Sequence, residues 1–149
     1  MSLESIFSFV NILVLPFWLL LMFAPGSRLT ARLVHGPLIP LVLGVVYSIG
    51  LGAVMFFHQG KTGGGFGSLA ALGLAFSAPA AALVGWVHYL IFDLFVGAWQ
   101  TRDAQRLRMP HAVRIPCLFF TLMAGPFGLL LYLVARFTLR RRATLQEGY

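Results

Sequence analysis

The sequence PAAALVGWVHYLIFDLFVGAW occupies residues 79–99 and contains one acidic side chain, that of Asp93, and neither lysine nor arginine. At about 1.5 Å per residue, a helix of this length crosses the roughly 30 Å hydrocarbon core of a bilayer. Pro79 fits the first turn of such a helix, where its missing N–H would have no intrahelical partner. The stretch therefore predicts a membrane-spanning helix.

The composition of the whole chain also indicates a membrane protein. Hydrophobic residues make up 59% of the 149 residues and charged residues only 10%, whereas a soluble domain carries about 25% charged residues. Three more apolar stretches are long enough to cross a bilayer, namely 6–24, 37–57 and 115–135. We predict an all-α fold: an integral membrane bundle of four transmembrane helices that forms one domain over residues 1–149.

The segments between these spans carry weaker signals. Residues 58–67, HQGKTGGGFG, resemble a phosphate-binding loop, but Met55 stands where that motif has its first glycine. We interpret them as a flexible glycine linker, followed by a short interfacial or re-entrant helix at 68–76. Residues 101–114 are predicted to be a polar loop, and Gly125-Pro126 should kink the fourth span.

The chain has eleven basic and four acidic residues. The basic residues flank the apolar stretches, so we assign them to lipid headgroups rather than to nucleic acid. Four spans would place six of the cations on one side and five on the other, counted from the sequence. That difference is too small to set the orientation, and we favour both termini outside.

Asp93 is the acidic residue that falls inside a predicted span. Burying a carboxylate in hydrocarbon costs several kcal/mol, so the Asp93 side chain must be paired, protonated or close to water. An ionisable residue inside a membrane span is therefore a candidate functional site. A structural ion pair with Arg28, Arg102 or Arg106 explains the same residue equally well. His88, five residues earlier, is the second candidate in this span.

Helical spacing sorts the neighbours of these two residues. Trp86, Tyr89, Asp93 and Gln100 share one side of the helix, whereas His88, Phe92, Phe95 and Trp99 share another. His88 and Asp93 would line one cavity only at its edges, since they lie about 140° apart on a helical wheel. The aromatic rings would hold a carotenoid-sized or quinone-sized ligand, and those we assign to substrate binding are Trp86, Tyr89, Phe92 and Trp99. Tyr47 is a further polar group at mid-depth of the second span.

Three polar residues after the third span complete the candidate site. Arg102 and Asp103 would order the mouth of the cavity, and His111 either binds substrate or begins a helix. Di-iron bundles use Glu-x-x-His pairs, which this sequence lacks. His88, Asp93 and His111 would make a sparse metal site at most, so we assign no metal, and the sequence names no cofactor.

Four stretches resemble one known family. Residues 85–97, GWVHYLIFDLFVG, are similar to the signature of the neoxanthin-synthase-like (abscisic-acid-deficient) membrane proteins. Weaker similarity lies at LPFWLL (15–20) with Ala24-Pro25, at PLIP (37–40) and at LMAGPFGLLLYL (122–133). The chain lacks the long transit segment of the plant members and starts close to its first span, like the bacterial members of the family.

The resemblance implies a four-span protein of xanthophyll metabolism, and a bacterial-type member would lie in the inner (cytoplasmic) membrane. Plant members are linked to conversion of violaxanthin to neoxanthin, an isomerisation that gains and loses no atoms. An acid must protonate the epoxide oxygen and a base must remove a polyene proton. We assign these roles to Asp93, kept neutral by its apolar surroundings, and to His88.

Two other functions fit the same sequence. A pigment- or lipid-binding protein without catalysis, or an auxiliary subunit of a membrane complex, would use the small residues Gly44, Ser48 and Gly52 to pack on a partner helix or on a second copy. A proton-conducting bundle or small transporter is the third hypothesis. All three expect membrane lipid as a partner, and the first two an apolar ligand such as a carotenoid.

Overall fold

The computed structural model describes residues 2–57, 61–141 and 145, and over these residues it is helical with no β-strand. Within these residues six helices follow one another: α1 (Leu3–Phe23), α2 (Arg28–Leu33), α3 (Leu38–Phe56), α4 (Leu69–Phe76), α5 (Pro79–Arg106) and α6 (His111–Arg140). The predicted all-α fold is confirmed.

In the described part of the chain, four segments are long and apolar enough to cross a membrane, by length and composition. They are α1, the stretch from α2 through α3, α5 and α6, which correspond to the four predicted spans. The short helix predicted at 68–76 is present as α4. The chain is therefore an integral membrane protein with a helical fold.

Contacts divide the chain into two compact units. The first unit comprises Met1–Val14 and Ile39–Ile91, and the second comprises Leu15–Leu38 and Phe92–Tyr149. The long helices α1 and α5 therefore each contribute one half to each unit.

Side-chain caps begin the two short helices. The Ser27 hydroxyl accepts a hydrogen bond from the Thr30 amide at the start of α2, and the Ser68 hydroxyl accepts one from the Ala71 amide at the start of α4. Such caps satisfy amides that have no partner within the helix. Of the predicted glycine linker, residues 58–60 lie outside the described residues.

The prediction of a polar loop over residues 101–114 is wrong. Helix α5 continues to Arg106 and α6 begins at His111, so the connection is only residues 107–110. Thr101, Asp103 and Ala104 are buried in the last turns of α5. This charged segment remains helical because α6 covers one face of it.

The predicted kink at Gly125-Pro126 is present, and it interrupts the helix rather than only bending it. Ala124 (φ −154°, ψ 52°) and Gly125 (φ 1°, ψ −77°) leave the helical conformation, which splits α6 into a first leg (residues 111–123) and a second leg (residues 126–140). Pro126 then stands at the first position of the second leg, where a proline is tolerated.

The two legs pack against each other. The backbone of Gly128 lies so close to Thr121 that a Cβ atom would overlap it. Tyr132 and Cys117 share one buried cluster, although 15 residues of continuous helix would hold them about 22 Å apart. The Arg140 guanidinium also reaches the Arg108 carbonyl oxygen, next to the start of the first leg. Helix α6 therefore doubles back on itself as a helical hairpin.

Candidate functional site

A cavity of about 490 Å³ in the first unit contains His88. Helices α3, α4 and α5 and the glycine-rich loop before α4 supply its walls, and the aromatic and polar side chains among them are Tyr47, Lys61, Phe66, Phe76 and His88. The remaining lining is aliphatic or glycine. Ligand sites of 300–1,000 Å³ with mostly apolar walls and a few polar groups are typical of proteins, so this cavity is our candidate site.

Tyr47 of α3 and His88 of α5 pack against each other on the lining of this cavity. Their ring centroids lie 5.6 Å apart, with the ring planes inclined by 54°. Tyr47 is half-buried and His88 is accessible from the cavity. Two groups that can each carry a proton therefore meet on one apolar surface.

Glycines allow the other helices and the loop that line the cavity to pack closely beside Tyr47 and His88. A Cβ on Gly85 of α5 would lie 3.3 Å from Cδ1 and Cζ of the Phe76 ring. A Cβ on Gly64 would lie 2.9 Å from the Ala75 Cα. The Gly65 amide donates to the Ala71 carbonyl at 3.0 Å, which ties the loop to α4. The described part of the glycine-rich segment is thus packed as a wall of the cavity.

The predicted ligand-holding residues Trp86 and Tyr89 lie on a different side of α5. Their rings stack at 5.2 Å, and Trp86 also contacts Phe7 of α1 at 5.9 Å. The Trp86 indole N–H donates to the Asn11 side-chain oxygen at 3.2 Å. Trp86 therefore joins α5 to α1, and neither Trp86 nor Tyr89 lines the His88 cavity.

Asp93 belongs to the second unit and lies at the tip of the α6 hairpin. Its side chain is only 8% exposed. A Cβ on Gly125 would lie 2.8 Å from Asp93 Cγ and 2.9 Å from Oδ2, so the carboxyl group occupies the space that a side chain at 125 would need. A carboxylate at this place suits the start of the second leg, whose first N–H groups have no intrahelical partners.

Two further polar residues of α5 contact the hairpin below its tip. The Thr121 hydroxyl donates to the Gln100 side-chain oxygen at 3.0 Å on the first leg. Asp103 is 1% exposed. It accepts hydrogen bonds from the Tyr132 hydroxyl and from Arg136 Nε, both at 2.7 Å, on the second leg.

Asp103 also accepts a bond from Arg106 at 2.6 Å. Its buried carboxylate is thereby held by two guanidinium groups and a phenol, which is the kind of full pairing a buried charge needs. Asp103, for which the sequence predicted a place at the cavity mouth, lies in this buried ion pair near the end of α5.

The other predicted residues are spread over the second unit. Trp99 packs edge-on against Tyr132 at 5.7 Å, and Phe92 is 55% exposed. Arg102 lies 3.4 Å from His35 Nδ1. His111 is the exposed first residue of α6, and its Nδ1 lies 2.9 Å from Arg114. No group of three metal-ligating side chains is gathered anywhere in residues 2–57, 61–141 and 145.

The structure therefore brings His88 together with residues that the sequence did not assign to the site. The sequence identified Tyr47 as a polar residue within a span. It could not predict that Tyr47 contacts His88, because the two residues lie on different helices and no local sequence pattern links them. Asp93, Gln100 and Asp103 recur at intervals of seven and three along α5. This spacing predicts a polar stripe along one face of α5. The sequence of α5 alone could not predict that the α6 hairpin covers this stripe.

The comparisons with known proteins identify the family. The ABA DEFICIENT 4-like family (ABA4-like) matches residues 5–132, which is most of the chain and includes both the His88 cavity and the Asp93 contact. No curated protein and no solved structure matches. The predicted resemblance is confirmed: the chain belongs to the ABA DEFICIENT 4-like family and is a neoxanthin-synthase-like membrane protein.

Proposed function

We propose that this protein binds the ring end of an epoxy carotenoid in the His88 cavity and isomerises the epoxide. The observation that carries the proposal is the contact of His88 with Tyr47 on the lining of a largely apolar cavity of about 490 Å³, whose third polar group is Lys61. A carotenoid ring is apolar apart from its oxygen atoms. A mostly apolar cavity with a few polar groups matches that chemistry.

The isomerisation needs two proton transfers and no co-reactant. One group protonates the epoxide oxygen as its C–O bond breaks, which leaves a hydroxyl group. A second group removes a proton from the polyene carbon next to the ring, and the electron pair of that C–H bond forms a new double bond. General acid and base groups must lie within hydrogen-bond reach of these two positions.

His88 is the proposed base, as its sequence context predicted. For the acid we favour the Tyr47 hydroxyl, since Tyr47 shares the cavity with His88. The assignment of the acid role to Asp93 stays a prediction. Its carboxyl group lies against Gly125 at the hairpin tip, where a structural role explains it equally well.

The experiment is expression of the chain with epoxy xanthophylls and chromatographic analysis of the products. We expect His88→Gln to abolish product formation and Tyr47→Phe to lower it by about 10²-fold, the lower range for loss of a general acid or base. Ser48→Ala is the matched control for Tyr47, because it removes the neighbouring hydroxyl, which only donates to its own helix at Gly44. His35→Gln is the control for His88, from the second unit.

Each outcome has one interpretation. Product formation by the native chain, lost in His88→Gln and kept in both controls, supports the proposal. Co-purified carotenoid without any product would contradict catalysis and favour a pigment-binding protein. Full turnover in both His88→Gln and Tyr47→Phe would overturn the assignment of the cavity as the reaction site.

A further inference from the structure

The arginines in the part of the chain that the structure describes all fall in one of the two units. Each described arginine lies within Leu15–Leu38 or Phe92–Tyr149, and those exposed at the surface are Arg28, Arg32, Arg106, Arg108, Arg140 and Arg141. Among the described residues of the first unit, Lys61 is the one lysine, and there is no arginine. The charge of the chain is thus strongly uneven, although four simple crossings would divide it almost equally.

Contacts join the helix ends that carry these arginines. Gln105 at the end of α5 lies 3.4 Å from the Cβ position of Gly26, just before α2. Arg102 of α5 lies 3.4 Å from His35, just after α2. Arg140 at the end of α6 reaches the Arg108 carbonyl between α5 and α6. The ends of α2, α5 and α6 therefore lie together.

The hairpin in α6 explains why both ends of α6 lie beside the ends of α2 and α5. The first leg, residues 111–123, is about 20 Å long and the second, residues 126–140, about 22 Å at 1.5 Å per residue. Both are shorter than the roughly 30 Å hydrocarbon core. Non-helical backbone within a membrane is tolerated where it is covered by protein or lines a water-filled cavity. At the tip, Gly125 is buried against the Asp93 carboxyl group of α5, whereas Ala124 is exposed.

We propose that α6 enters and leaves the membrane on the same face, and that the exposed arginines of the second unit bind the anionic phospholipid headgroups of that leaflet. Each exposed arginine near an anionic leaflet strengthens membrane binding. Arginine-rich segments are retained on the side from which a chain is inserted. With three crossings by α1, α3 and α5, the N-terminus lies on the opposite side from α2 and from both ends of α6.

Single cysteines in sealed vesicles test the hairpin directly. Cys117 is buried and is first replaced by Ala. Cysteine is then placed at Thr62 between α3 and α4, at Ala112 at the start of α6, or at Leu145 after α6, all of which are exposed. An impermeant maleimide is added to intact vesicles and then to opened ones.

The hairpin predicts that Leu145→Cys and Ala112→Cys are labelled from the same side, opposite to Thr62→Cys. If α6 crosses the membrane, Leu145→Cys will instead be labelled from the side of Thr62→Cys, which overturns the proposal. Both results are readable without any enzymatic activity, so failure of this proposal is separate from failure of the proposed function.

Lipid retention tests the headgroup partner. The protein is incubated with equal amounts of phosphatidylglycerol and phosphatidylcholine in detergent, washed, and its bound lipids are quantified. We expect phosphatidylglycerol to be retained severalfold over phosphatidylcholine, with the preference lost in the Arg28→Gln, Arg32→Gln, Arg140→Gln triple variant. The Lys61→Gln control should keep it. Equal retention of both lipids by the native protein would contradict the headgroup assignment.

Discussion

The two halves of α5 have different surroundings although both are largely apolar in sequence. The half that carries His88 borders a cavity and aromatic rings. The half that carries Asp93, Gln100 and Asp103 is covered by the α6 hairpin, and each polar side chain contacts a different part of it. The cavity is the reason why we assign the proposed chemistry to the half that carries His88 and a packing role to the half that carries Asp93.

The largest expected effect is loss of the buried ion pair. Asp103→Ala leaves Arg136, which is 1% exposed, buried without this carboxylate. Breaking one side of a buried pair costs about 3–5 kcal/mol, so the thermal unfolding temperature in detergent should fall sharply. Glu4→Gln, which removes an exposed carboxylate, is the control. Equal unfolding temperatures for the two variants would mean that the second unit does not depend on this pair.

A side chain at the hairpin tip should have the next largest effect. Gly125→Ala places a methyl group where the Asp93 carboxyl group lies, and overpacking of this kind costs about 1–3 kcal/mol. Gly44→Ala is the matched control, since no atom lies within 4 Å of the Cβ position there. Thermal unfolding of both variants provides the comparison, and a Gly125→Ala protein as stable as Gly44→Ala would place Asp93 away from the tip.

The sequence predicted the class of fold well because length and hydrophobicity decide it. It could not predict the course of α6: Gly125-Pro126 signals a break, but the doubling back depends on contacts of Gly128 with Thr121 and of Tyr132 with Asp103. The 33-residue separation of Asp103 and Arg136 likewise leaves no local pattern. The small-residue stripe of α3 is not contacted at Gly44 by another helix, so its predicted partner is untested.

Removal of one hydrogen bond should destabilise the second unit less. Tyr132→Phe deletes the 2.7 Å bond to Asp103 and leaves both arginines in place. Hydrogen bonds to charged groups contribute about 1.5–3 kcal/mol, so the unfolding temperature should fall less than in Asp103→Ala. A larger fall than in Asp103→Ala would show that the phenol, rather than the ion pair, holds the hairpin.

The smallest effect is expected from narrowing the cavity. Gly85→Ala pushes on the Phe76 ring, which can rotate, so carotenoid retention should fall only severalfold while the unfolding temperature stays close to that of the native chain. Gly73→Ala in α4 is the control, because its Cβ would meet nothing within 4 Å. Unchanged retention in Gly85→Ala would place the ligand outside this cavity.

The most direct measurement compares His88→Gln with Asp93→Asn for both product formation and thermal unfolding. If the cavity half of α5 performs the chemistry and the polar half holds the hairpin, His88→Gln loses product at native stability. Asp93→Asn then unfolds at a lower temperature but still forms product when folded. Loss of product in Asp93→Asn at unchanged stability would contradict this division and assign the acid role to Asp93.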